Sequence, residues 1–227
     1  MEGTPAADLF EPTPRTAMVE MIASNRRPEV LELLMRAYYE PLAAYLSATT
    51  FRSLGDPRDV VRGFFADRLS REQWLEDWRA SDLRLRRWLM NGLLFFCKEE
   101  RRREHRGSGD GSAEAPPNLD GESPERVFER TYARVTVQRA IESAADLCGQ
   151  EGYSAHWEFF RRHHLEGDSL VDLAERSGRT VGQVTGMVRT AASRFRRVLA
   201  ESLVRDGASP EALEAEIASM LATLGSR

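Results

Sequence analysis

Two capping boxes around one glycine constrain residues 169–197 more tightly than any other part of this chain. The segment is SLVDLAERSGRTVGQVTGMVRTAASRFRR. Ser169 followed by Asp172 is the pattern of a helix N-terminus, and Leu170, Leu173 and Ala174 give that helix an apolar face. Gly178 sits where the helix should stop, because glycine enters the left-handed conformation of a helix end without steric cost. Thr180 and Gln183 then form a second capping box. Beyond it Val184, Val188, Ala191, Phe195 and Leu199 recur at spacings of three and four, one face of a long helix. The other face carries Gln183, Thr185, Arg189, Thr190, Ser193, Arg194 and Arg197. Two capped helices joined by a short glycine turn predict a helix-turn-helix, whose second helix enters the major groove of DNA. Arg176, Arg179, Arg189, Arg194, Arg196 and Arg197 lie in a span without Asp or Glu, a one-sign stretch suited to neutralising phosphates.

The remainder is also helical in pattern, with no convincing strand alternation and no internal repeat, so an all-α fold is expected. Residues 1–15 hold three prolines and little apolar patterning, the composition of a loose tail. Met18, Ile22, Val30, Leu33, Leu34, Ala37, Tyr38, Leu42, Tyr45 and Leu46 predict two or three helices, with Pro28 at a helix start and Pro41 a potential kink. Asp56-Pro57 predicts a cap and first turn for a helix carrying Val60, Val61, Phe64, Phe65 and Leu69. Trp74, Leu75 and Trp78 are assigned to a short connection, and residues 83–106 to one long helix with Leu85, Trp88, Leu89, Gly92, Leu93 and Phe96 inward.

Behind that helix, residues 107–124 are rich in Gly, Ser and Pro and contain one leucine, the composition of a flexible linker. Two small helical domains, 16–106 and 125–206, are therefore expected on either side. An acidic amphipathic helix at 207–227 closes the chain, with Leu213, Ile217, Met220, Leu221 and Leu224 on its apolar face.

Overall charge and cysteine use narrow the function classes. The 227 residues carry a formal net charge of −4, so contacts to DNA must come from local patches. No apolar run approaches a membrane span, and the first residues lack the basic start and apolar core of a secretory signal. Cys97 and Cys148 are isolated in helical patterns, which suggests buried thiols in a cytoplasmic protein. No catalytic constellation emerges. His163 and His164 are adjacent, so on a helix they point about 100° apart and do not form an i,i+4 metal pair. Residues 107–111 lack the preceding strand of a phosphate loop. Neither a cofactor, a metal nor a small-molecule substrate is expected.

The order of these segments resembles the small, two-domain extracytoplasmic-function sigma factors of bacterial RNA polymerase, over about residues 16–224. LLMRAYYEPLAAYL is similar to the family's opening helix, with its Tyr-x-Pro-Leu element. GDPRDVVRGFFADRL is similar to its acidic-start helix, and LRRWLMNGLLFFCKEERRR to its DNA helix. SPERVFERTYARVTVQRAIE resembles the start of the second domain in a subgroup that also carries an acidic C-terminal helix.

The resemblance implies that Asp56, Asp59, Val60, Arg62, Phe64 and Phe65 dock on core polymerase. It implies that Trp74, Trp78, Arg84, Arg86, Arg87, Lys98, Arg102 and Arg103 hold the melted −10 strand, in keeping with the positive groove and aromatic faces that single strands want. It further implies a −35 duplex reader built from Arg179, Thr180, Gln183, Thr185, Gly186, Arg189, Thr190, Ser193, Arg194 and Arg197, and it admits an anti-sigma or other regulatory partner.

Three departures from the family pattern stand out. Arg62-Gly63 replaces the usual Gln-Glu of the polymerase-binding helix, and Leu94-Phe95 replaces a common basic-Asn pair. Thr190, Ala191, Ala192 and Ser193 stand where relatives often carry several arginines, and Gly182 and Gly186 leave little side chain in the first turns. Weak or unusual −35 readout is the expectation. Two rival readings stay open: a duplex-DNA regulator that acts without polymerase, and a helical adaptor that binds no DNA.

Overall fold

The computed structural model describes residues 27–71, 73–108 and 122–225. The expected tail at 1–15, the start of the first domain and most of the 107–124 linker lie outside them. Among the described residues every regular element is helical, with nine α-helices and two short 3-10 turns. The chain forms two compact units. The first comprises Met1–Tyr132 and Val204–Pro210, the second Ala133–Leu203 and Glu211–Arg227. The division falls at 132/133, inside a helix.

In the first unit, α1 (Arg27–Ser47) buries Val30, Leu34, Tyr38, Leu42, Tyr45 and Leu46, a face generated by steps of three and four. It is one helix with Pro28 in its first turn, and it continues through Pro41. A 3-10 turn (Thr50–Leu54) leads to α2 (Pro57–Leu69). Asp56 caps α2 as its sequence predicts, its carboxylate accepting from Arg58 N at 2.7 Å. Trp74, Leu75 and Trp78 do not form a connection: they are the buried face of a further helix, α3 (Gln73–Ala80). The i,i+1,i+4 spacing of three large apolar residues is enough to make a short amphipathic helix against a core.

Helix α4 (Leu85–Ser108) buries Leu85, Leu89, Met90, Leu93, Phe96 and Cys97. Phe64 of α2 packs among other rings, with centroids 5.2 Å from Phe65, 5.8 Å from Trp74 and 6.0 Å from Phe96. A Cβ on Gly92 would come within 3.3 Å of the Phe64 ring and 3.6 Å of Trp74, so the absence of a side chain lets these rings reach α4. The first turns of α5 (Pro124–Gln150) belong to the same core: Phe128 meets Tyr45, and Tyr132 stacks on Tyr38 at 5.6 Å.

Residues 204–210 complete this unit. The buried carboxylate of Asp206 accepts from the Tyr38 hydroxyl at 2.7 Å and from Arg86 N at 3.0 Å. Its backbone carbonyl accepts from Leu85 N at 3.0 Å. Two amides at the start of α4, which have no partner inside their own helix, are thereby satisfied by a residue distant in sequence.

The second unit contains the rest of α5, then α6 (Ser154–His164), α7 (Leu170–Ser177), α8 (Val181–Arg205, whose last residues enter the first unit) and α9 (Leu213–Gly225). Its small core joins Cys148, Phe160, Leu173, Ala174, Val184, Val188 and Ala191, edged by Tyr153, Trp157, Leu170 and Phe195. Ile217 and Met220 give α9 its buried side. Both cysteines are buried and free. Burial pushes the Cys97 thiol up to about 12 and raises that of Cys148, so neither is a thiolate at neutral pH.

Candidate nucleic-acid interface

Local chemistry fixes the α7–α8 pair closely. Ser169 Oγ accepts from Asp172 N at 3.0 Å at the start of α7. Gly178 takes φ 64°, ψ 26°, and Arg179 N donates to Ala174 O at 3.0 Å, closing the C-terminus with a left-handed cap. The second capping box is complete: Gln183 N donates to Thr180 Oγ1 at 3.2 Å, and Thr180 N donates to Gln183 Oε1 at 2.9 Å. Val184, Val188 and Ala191 turn inward, which leaves Gln183, Gly186, Arg189 and Ser193 exposed and Thr185 and Thr190 half-buried on the outer side.

Hydrogen bonding limits what this face offers. Gln183 Oε1 is occupied by the cap, so its amide NH2 is what remains for a base edge, as a donor. Thr185 donates its hydroxyl to Val181 O at 2.8 Å and Thr190 to Gly186 O at 3.0 Å, which leaves both oxygens as acceptors. A Cβ on Gly186 would meet nothing within 4 Å, and one on Gly182 only Thr180 Oγ1 at 4.0 Å. The first turns are bare backbone open to close approach.

The arginine-rich span is free of acids in sequence but not in space. Arg176 pairs with Asp168 at 3.4 Å and Arg196 with Glu214. Arg194 Nε donates to Glu151 Oε2 at 2.6 Å and Arg197 Nη2 to Glu151 Oε1 at 3.3 Å. The Arg194 guanidinium also lies over the Tyr153 ring at 3.9 Å. Hydrogen bonding from Arg194, aided by Arg197, holds the Glu151 carboxyl below its ordinary range. Among the described residues only Arg179 and Arg189 of the six make no ion pair, and both are exposed. The expectation of a one-sign surface is corrected accordingly: four of these positive charges are met by acids from the flanking turns and α9.

The residues assigned to a melted strand divide sharply. Trp78 is fully buried with Nε1 donating to Leu83 O at 3.1 Å, and Trp74 is buried against Phe64. Neither presents a ring face to a base. Arg86 faces inward, 3.1 Å from Asp206, 3.3 Å from Glu129 and over the Tyr132 ring at 5.4 Å. Arg84 is half-buried, while Arg87, Lys98, Arg102 and Arg103 are exposed, Arg103 paired with Glu100.

The residue missed from sequence is Phe95. It is the most exposed large apolar side chain described, at 63%, with the Lys98 ammonium 5.6 Å from its ring centroid. Its position relative to Leu89, Leu93 and Phe96 places it outward at helical spacing, a signal present in the sequence. Arg87, Asn91, Phe95, Lys98 and Arg102 recur at steps of four, four, three and four on α4, so they share one face.

On α2 the six assigned positions also separate. Asp56, Asp59 and Arg62 are exposed, with Arg62 pairing to Asp59 at 2.8 Å. Val60 is half-buried, and Phe64 and Phe65 are wholly committed to the core.

No protein-family model, curated protein or solved structure matches the chain. Among the described residues no helix is long and apolar enough to cross a membrane, and no three His, Cys, Asp or Glu side chains gather as a metal site. What the geometry offers chemically is a capped helix with a short polar outer face and two arginines without an ion pair among the described residues, and separately a basic helix face with one exposed aromatic ring.

Proposed function

We propose that this chain directs transcription initiation as a sigma-type factor: it joins core RNA polymerase, its second unit contacts duplex promoter DNA through α8, and α4 of its first unit holds unpaired promoter strand. The observation that carries this reading is the α7–α8 pair. Its turn is closed by Gly178, its second helix is capped by Thr180 and Gln183, and the helix exposes Gln183, Gly186 and Arg189 with Arg179 beside them. A recognition helix meets base edges with the residues of its N-terminal turns, and here those turns are capped and carry Gln183 and Arg189 outward. Support for the strand contact comes from Phe95, Lys98 and Arg102, an aromatic face amid cations. The test is association of the full-length chain with core RNA polymerase, followed by promoter-specific runoff transcription. Both activities are expected; absence of stable association sinks the proposal.

One observation favours a second reading, a duplex-binding regulator independent of polymerase. Burial of Phe64 and Phe65 leaves α2 a docking face of charged residues around Gly63, with no large apolar anchor. Duplex binding without any association with core enzyme selects this reading. An adaptor that binds no DNA predicts neither activity.

A further inference from the structure

Arg194 and Arg197 are one helical turn apart on α8, and one carboxylate bridges them, one oxygen to each. Arginine bonds carboxylate and phosphate oxygens in the same charge-assisted way, so a phosphate can take the place of this carboxylate. The two arginines are not equivalent. Arg194 is held from three sides, by Glu151, by the Tyr153 ring at 3.9 Å and by its own bond to Thr190 O at 3.1 Å, and its side chain is 18% exposed. Arg197 has the single longer contact of 3.3 Å and is 54% exposed.

The carboxylate is also pre-placed. Glu151 N donates to Leu147 O at 3.0 Å, Gly152 turns the chain at φ 79°, and Tyr153 N donates to Cys148 O at 2.6 Å. These bonds fix the backbone of the turn that presents Glu151 to α8.

We propose that Glu151 is a built-in competitor for the DNA backbone: its carboxylate fills the anion site of Arg194 and Arg197, and a phosphate reaches Arg197 only by displacing it. Arg194 stays in place as the strut of the site. Arg179 faces no such competitor among the described residues, so it makes the first phosphate contact and Arg197 joins only when Glu151 yields. The function is restraint: duplex affinity is set below what the arginine content of α8 would give. This inference rests on the duplex-contacting role proposed for α8.

The experiment measures affinity of the full-length chain for a short labelled duplex of arbitrary sequence across a salt series. Glu151→Gln is expected to tighten binding about threefold to tenfold and to steepen the salt dependence by about one released counterion. Glu151→Asp keeps the charge but draws the carboxylate back by one methylene, and moves in the same direction by less. Arg197→Ala should cost several-fold more in the Glu151→Gln background than in the wild type, a coupling that a general charge effect does not produce. Glu142→Gln, which changes an exposed acid of α5 bonded to Gln138, leaves the salt slope unchanged.

A Glu151→Gln slope equal to wild type overturns the proposal, as does equal tightening with and without Arg197. If the wild type binds no duplex while Glu151→Gln does, the competitor stands and α8 is a restrained DNA contact. If neither binds, this inference and the duplex-contacting role both fall.

Discussion

Asp206 accepts a hydrogen bond from the backbone amide of Arg86 at 3.0 Å, across 120 positions of sequence. The same carboxylate takes the Tyr38 hydroxyl and lies 3.1 Å from the Arg86 guanidinium, so one residue caps α4, satisfies a buried phenol and balances a buried cation. Asp206→Ala removes the acceptor of the phenol and of the amide and leaves the Arg86 guanidinium with Glu129, and should cost about 3–5 kcal/mol, the range for removing one member of a buried ion pair. Asp206→Asn keeps an acceptor for Tyr38 and for the amide and should cost less. Urea unfolding of the full chain measures both; equal losses would mean that the cap and phenol contacts contribute little.

Burial raises the Asp206 carboxyl from 3.8 to about 6, against the lowering pull of Arg86, Tyr38 and Arg84. Between those values the folded chain holds a proton that the unfolded chain has released. The contribution is therefore fully stabilising below about pH 4 and is lost as pH rises through about 6. Wild-type stability should fall across this window more steeply than that of Asp206→Asn. Superimposable pH profiles would show that Asp206 does not titrate there.

Two glycines of the first unit should respond oppositely to alanine. Gly63 is exposed in mid-helix, and its new Cβ would sit 3.5 Å from Phe96, an ordinary contact. Gly63→Ala should stabilise by about 0.5–1 kcal/mol through helix propensity. At Gly92 the Cβ would press the fully buried Phe64 ring at 3.3 Å, so Gly92→Ala should destabilise by about 1–3 kcal/mol. Thermal melts of both variants decide it, and a stabilised Gly92→Ala would show that the aromatic cluster can yield.

Phe95 and Trp78 separate binding from folding. Phe95→Ala should weaken single-stranded DNA binding by about 1–3 kcal/mol, the contribution of one stacked base, with little change in melting temperature. Trp78→Ala should instead lose about 3–5 kcal/mol of stability as a core truncation. A Phe95→Ala variant that binds single strands like wild type would remove the α4 face from the proposed function.

Arg189 makes no ion pair among the described residues, stands exposed on the outer side of α8, and should contact a base edge. Arg189→Ala is expected to reduce discrimination between duplex sequences by about 1–3 kcal/mol at one base position. Competition binding with a randomised duplex pool measures it. Uniform weakening on every sequence would assign Arg189 to the phosphates instead.

The sequence was most informative where structure is local. Asp56, Ser169, Thr180 and Gly178 act as caps and stop because each cap is settled within three or four residues, and the buried faces of α2, α4 and α8 follow from spacing. Trp74 and Trp78 were harder: an aromatic ring serves a core or a base equally well, and only packing against Phe64 and Leu83 decides between them. For Arg86, Arg194 and Arg197 the resemblance and their positive charge point toward DNA. The acids that meet them, Asp206 and Glu151, come from distant positions that no local pattern links to them. Phe95 is legible by helical phase, although it departs from the family motif at that position.

Inclusion of residues 204–210 in the first unit has a consequence for biosynthesis. Tyr38, Leu85 and Arg86 leave the ribosome well before Asp206, yet the amides of Leu85 and Arg86 and the phenol of Tyr38 donate to that residue. Domains fold as units, usually from the N-terminus during synthesis. Here the unit begun first is finished only after residues 133–203 have been made, and until then the start of α4 must be hydrated or sheltered by other means.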